Sequence, residues 1–113
     1  MTMLDLDIDV RENGRVVRPH GRLTMVSARP FRERVSEEIA AAGESPVIVD
    51  LSDVAFIDSS GLGALVACLK TARQGGGDLR LAAPSEQVTM VLGLTNLDRV
   101  LRPRATVQDA LDG

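Results

Sequence analysis

Pro46-Val47-Ile48-Val49-Asp50-Leu51 is a short, continuous apolar run. A strand with one wet face alternates apolar and polar residues. A run without alternation is how a central strand buried on both faces reads. That strand needs covering on both sides, and the flanking sequence supplies the pieces. A second apolar patch, Val54-Ala55-Phe56-Ile57, follows it and leads into Asp58-Ser59-Ser60-Gly61.

Upstream, Leu4, Leu6, Ile8 and Val10 alternate with Asp5, Asp7, Asp9 and Arg11, the period of a half-buried strand. Glu12-Asn13-Gly14-Arg15 supplies turn chemistry, and Val16-Val17 open a second strand that Pro19 ends. Residues 27–42 read as a helix: Phe31, Val35 and Ile39, with Ala28 and Ala42, recur at helical spacing, Ser27 is placed to cap, and Gly43 to stop.

Downstream, Ser60 to Arg73 is helical, with Leu62, Leu65, Val66 and Leu69 inward and Gly75-Gly76-Gly77 as its end. Leu79, Leu81 and Ala82 form a strand. Ser85 caps a helix through Val88, Val91 and Leu92. Val100-Leu101 read as a last short strand, and 106–112 as a terminal helix capped by Thr106. The order β-β-α-β-α-β-α-β-α implies one α/β domain over residues 1–113, its core at about 5–112. An opening antiparallel hairpin and parallel β-α units give a mixed sheet of four to five strands against about four helices.

Composition removes several classes of function. The chain has 113 residues, no Trp or Tyr, two Phe (Phe31 and Phe56) and a net charge of −3. No aromatic platform or basic stripe offers itself to nucleic acid. Arg99 to Arg104, broken by Leu101 and Pro103, reads as a solvated rim. Cys68 and His20 are each alone, which leaves no Cys cluster, paired-His metal site or second-histidine triad. His20 reads as a loop histidine without a role. No signal peptide or membrane-spanning run is seen, so the expectation is a soluble, cytoplasmic protein.

Familiar catalytic signatures fail. Ile57 and Asp58 stand where a nucleophile elbow before Ser59 or Ser60 needs Gly, and no Gly-Lys-Ser/Thr loop exists. Gly61-x-Gly63 begins a dinucleotide fingerprint that Val66 breaks, and the Gly75–Gly77 run follows a helix instead of opening one.

Asp58-Ser59-Ser60-Gly61 remains, and two readings stand together. Asp and Ser are preferred helix caps. Yet a cap needs one polar side chain, three stand in a row, and Gly61 and Gly63 each cost the helix ~1 kcal/mol. Something must approach that backbone closely. A helix N-terminus with free N–H groups would also hold a phosphoserine without unfolding.

The stretch from Val47 to Gly63, Val-Ile-Val-Asp-Leu-Ser-Asp-Val-Ala-Phe-Ile-Asp-Ser-Ser-Gly-Leu-Gly, resembles the central signature of STAS domains, closest to the bacterial anti-sigma factor antagonists. The match continues through Lys70, Gly75-Gly76-Gly77-Asp78-Leu79 and Val91-Leu92-Gly93-Leu94. The resemblance implies a partner-switching regulator with no enzymatic activity, cofactor or metal. Ser59 would accept phosphate from an anti-sigma factor that is also a serine kinase. The unmodified form would bind that factor and free the sigma factor, and a PP2C-type phosphatase would reset it. Asp58, Ser60, Gly61, Leu62 and Gly63 would border the docking surface. Members often carry an acidic pair where this chain has Gly21-Arg22-Leu23-Thr24. Arg22 and Thr24 thus join the partner-facing set, with Arg22 open to an acidic partner, to phosphate on Ser59, or to solvent. The alternative is a constitutive STAS scaffold in another assembly, such as a lipid-transport complex, with no phosphorylation switch.

Overall fold

A computed structural model describes residues 5–113. Leu4, expected to open the first strand, lies outside the described residues. The strands are β1 (Leu6–Arg11), β2 (Gly14–Pro19), β3 (Gly21–Leu23), β4 (Pro46–Asp50), β5 (Val54–Ile57) and β6 (Asp78–Ala82). The helices are α1 (Ala28–Ala42), α2 (Ser59–Gln74), α3 (Glu86–Leu94), α4 (Asp98–Leu101) and α5 (Val107–Asp112). The main sheet runs β1-β2-β4-β6, with β1 antiparallel to β2 and the remaining pairs parallel.

β4 is central, as its unbroken apolar run requires. Val47 and Val49 enter the large core beneath α1 and α2, which also holds Phe31, Val35, Leu65 and Leu69. Ile48 points the other way, into a small cluster with Val16, Ala82, Ala110 and Leu111 under α5. The hairpin forms as expected, but its glycine serves another purpose. Arg11 pairs with Gly14. A Cβ on Gly14 would lie 2.8 Å from the Pro46 carbonyl oxygen and 3.0 Å from Leu111 Cδ2. Gly14 permits close packing on β4 and α5.

Two expectations are corrected. Val100-Leu101 is not a strand but the end of α4. Leu101 is buried and Val100 exposed, the one-sided burial of a helical turn. The β6 edge is met instead by Arg104, whose N–H donates to the Leu81 carbonyl at 2.9 Å. The Val54–Ile57 patch forms β5, which pairs in parallel with β3, a three-residue strand with no sequence signal, in a separate two-stranded sheet. Ser27 precedes α1 without capping it. Its buried hydroxyl accepts from the Thr24 N–H at 3.0 Å and donates to the Arg22 carbonyl at 2.6 Å. Among the described residues five helices form where about four were expected.

Candidate functional site

The β3–β5 pair positions the site, because α2 springs directly from the end of β5. Ile57 uses one edge of its backbone on a side chain: its N–H donates to Gln87 Oε1 at 2.9 Å and its carbonyl accepts from Gln87 Nε2 at 3.1 Å. The Gln87 amide thereby substitutes for a neighbouring strand and docks α3 onto β5. On the other edge, the Asp58 N–H donates to the Leu23 carbonyl at 3.1 Å. Sequence spacing gave no sign of Gln87, which sits inside a helical stretch with a distant partner.

Asp58 is the N-cap of α2. Its backbone is extended (φ −112°, ψ −174°), and Oδ1 accepts the Gly61 N–H at 3.0 Å. Oδ2 accepts the Met25 N–H at 3.1 Å. Both carboxylate oxygens are thus spent on backbone donors of two segments. Ser59, the first residue of α2, takes no part in the cap and is exposed; Ser60 is half-buried. The positive end of a sixteen-residue helix lies beside Ser59.

The two glycines of the first turns differ. A Cβ on Gly61 would overlap the Leu23 carbonyl oxygen and lie 2.7 Å from Ile57 Cγ1. The close approach anticipated at this position is the protein's own β3. Gly61 and Leu62 are buried, so they seat the helix and offer no side-chain surface. Gly63 is exposed, and a Cβ there would meet nothing within 4 Å. The fold gives no reason for glycine at 63.

Arg22 lies on β3 with its guanidinium carbon 4.6 Å from the centroid of the Phe56 ring. Of the two aromatic residues, Phe31 is in the core, and Phe56 is the half-buried platform for this cation. Thr24 is occupied locally: its N–H donates to Ser27 Oγ, and its hydroxyl accepts the Val26 N–H at 3.3 Å. The segment Thr24-Met25-Val26-Ser27 is therefore pinned by backbone and side-chain hydrogen bonds, yet it holds Met25 at 77% and Val26 at 61% exposure. Composition and spacing had not singled out that apolar pair.

Burial pushes the Cys68 thiol up to about 11. No group of three His, Cys, Asp or Glu among the described residues could hold a metal ion. No described helix is long and apolar enough to cross a membrane.

The family model for the STAS domain matches residues 5–110. A Thermotoga maritima protein, named provisionally as an anti-sigma factor antagonist, is 36% identical over 97 residues, covering 86% of each chain. The anti-sigma-B factor antagonist of Bacillus subtilis is 28% identical over 100 residues, 87% of this chain and 90% of that one. A crystal structure of the Thermotoga maritima protein superposes with a TM-score of 0.85 at 31% identity, covering 95% of this chain and 92% of the other.

Proposed function

The chain belongs to the STAS domain family, in its anti-sigma factor antagonist group, and from that premise we propose that it works by partner switching at Ser59. The unmodified form binds an anti-sigma factor with serine-kinase activity and frees a sigma factor. Phosphorylation of Ser59 ends the binding, and a PP2C-type phosphatase restores it.

The observation that carries this reading is the division of labour at the start of α2. Asp58 supplies the cap, so the exposed Ser59 hydroxyl has no structural duty. A phosphoryl group there adds about −1.5 to −2 charge and three acceptor oxygens. The helix N-terminus favours that charge, so the surface changes while the fold persists. Around Ser59, the exposed Met25 and Val26, the stacked Arg22 and the bare backbone at Gly63 suit a partner with an apolar pocket and an acidic group.

The test is intact mass after incubation with the anti-sigma factor kinase and ATP. One phosphoryl group is expected on the wild type and none on Ser59→Ala. Ser59→Asp should weaken binding by about 3 kcal/mol, roughly a hundredfold. Undiminished binding by Ser59→Asp, with no phosphorylation of the wild type, would leave the constitutive scaffold as the better reading. Because Ser59 is outside the cap, Ser59→Ala should keep its stability, and the test is free of a folding artefact.

A further inference from the structure

The chain leaves the main sheet at His20 and enters the β3–β5 pair at Gly21, whose φ of +100° is left-handed. At that joint the His20 ring lies between two carboxylates. Nε2 is 2.8 Å from Asp7 Oδ2 on β1, and Nδ1 is 2.9 Å from Asp53 Oδ2 in the turn between β4 and β5. The backbone makes parallel connections: the His20 N–H donates to the Asp5 carbonyl at 2.9 Å, and the Gly21 N–H to the Asp53 carbonyl at 3.0 Å.

An ionised carboxylate only accepts. A neutral imidazole has one N–H, so it can satisfy one of these partners and must turn a lone pair toward the other. An imidazolium donates to Asp7 and presents a positive charge to Asp53, which lies in ion-pair range of Nδ1. The hydrogen bond on one side and the carboxylate on the other together favour the protonated ring. The carboxylates approach from opposite ring nitrogens, so the three groups do not converge on a point where a cation could sit. The acidic groups facing the ring are Asp5, Asp7 and Asp53. The cation two residues back on β2, Arg18, is engaged by Asp50 at 3.2 Å.

We propose that His20 is a pH-sensitive latch on the hinge between the main sheet and the β3–β5 pair from which α2 and Ser59 project. Protonated, it ties β1 to the β4–β5 turn across the joint. Deprotonated, it releases one carboxylate, and the joint is held there by backbone hydrogen bonds alone. The Asp7 hydrogen bond raises the histidine pKa, partial burial opposes it, and the charges of Asp7, Asp53 and Asp5 raise it further. A raised folded value means the tie is fully present below the free-histidine range and lost as pH rises through the folded value. All three side chains are partly exposed, so the effect is on local opening and not on global unfolding. Its bearing on partner docking rests on the proposed role of Ser59; the latch itself does not.

The experiment is NMR on the isolated protein, which involves neither Ser59 chemistry nor a partner. The His20 ring would be titrated in wild type, Asp7→Asn and Asp53→Asn. Exchange of the Gly21 and Asp58 amides, corrected for intrinsic rate, would be followed over the same pH range in wild type and His20→Gln. His20 should titrate above the free-histidine value and move toward it in each Asn variant. Protection at both amides should fall by roughly threefold or more through that pH in wild type and stay level in His20→Gln. Titration at the free-histidine value in wild type, or equal pH dependence of protection in His20→Gln, would overturn the proposal.

Discussion

The Asp58 carboxylate joins Met25 to the first turn of α2: one oxygen takes the Met25 N–H at 3.1 Å, the other the Gly61 N–H at 3.0 Å. Loss of this residue should therefore cost more than a simple cap. Asp58→Ala removes a cap worth ~1 kcal/mol and a second charge-assisted bond of similar size, about 2 kcal/mol together. Urea unfolding measures it. A loss of only ~1 kcal/mol, the cap alone, would mean that the Met25 tie contributes nothing.

Gly61 and Gly63 should respond to alanine with opposite signs. Gly61→Ala drives a methyl group into the Leu23 carbonyl and Ile57, for a cost of about 1–3 kcal/mol or more. Gly63→Ala meets open space and gains helix propensity, up to ~1 kcal/mol of stability. If Gly63 is where a partner backs against α2, the same change weakens docking while the fold becomes firmer. Thermal unfolding beside titration with the anti-sigma factor separates the two, and full affinity in the firmer protein removes Gly63 from the interface.

Gln87 should matter to β5 although it belongs to α3. Gln87→Leu keeps much of the bulk but leaves the Ile57 N–H and carbonyl unpaired in a half-buried place. A destabilisation of about 2 kcal/mol is expected, with faster exchange of the Ile57 amide. Unchanged exchange there would show that water replaces the amide at no cost.

Acid should weaken the attachment of α1 to the sheet. Burial alone would raise the Glu38 pKa, but hydrogen bonds from Arg15 on β2, at 2.8 Å, and Arg34, at 2.7 Å, outweigh it and hold the carboxyl below the ordinary glutamate value. The folded pKa is depressed, so the contribution is complete above the unfolded value and lost as pH falls through the folded one. Glu38→Gln should be less stable near neutrality and show a flatter acid limb in denaturation against pH. An acid limb as steep as the wild type's would assign the acid sensitivity to other carboxylates.

Legibility in the sequence followed the range of each interaction. β4 could be read because burial on two faces imprints a local composition, and the hairpin because alternation repeats every two residues. β3 spans three residues and cannot show a period, so the two-stranded sheet that carries the site was hidden. Val100-Leu101 contains too few residues to distinguish strand from helix, and only Leu101 turns inward. The cost of the two glycines was visible, but whether each faced the protein or solvent depended on Leu23, far back in the chain. His20 looked idle for the same reason: Asp7 and Asp53 approach it from distant segments.

Asp58 as the cap has an evolutionary consequence for its neighbour. Folding places almost no constraint on position 59, whose side chain is exposed and unused by the helix. Sequence drift there would be nearly neutral if stability were the only filter. Counting substitutions at 59 against those at 58 across a lineage would therefore separate selection for a hydroxyl from selection for a folded protein, which few helix starts allow.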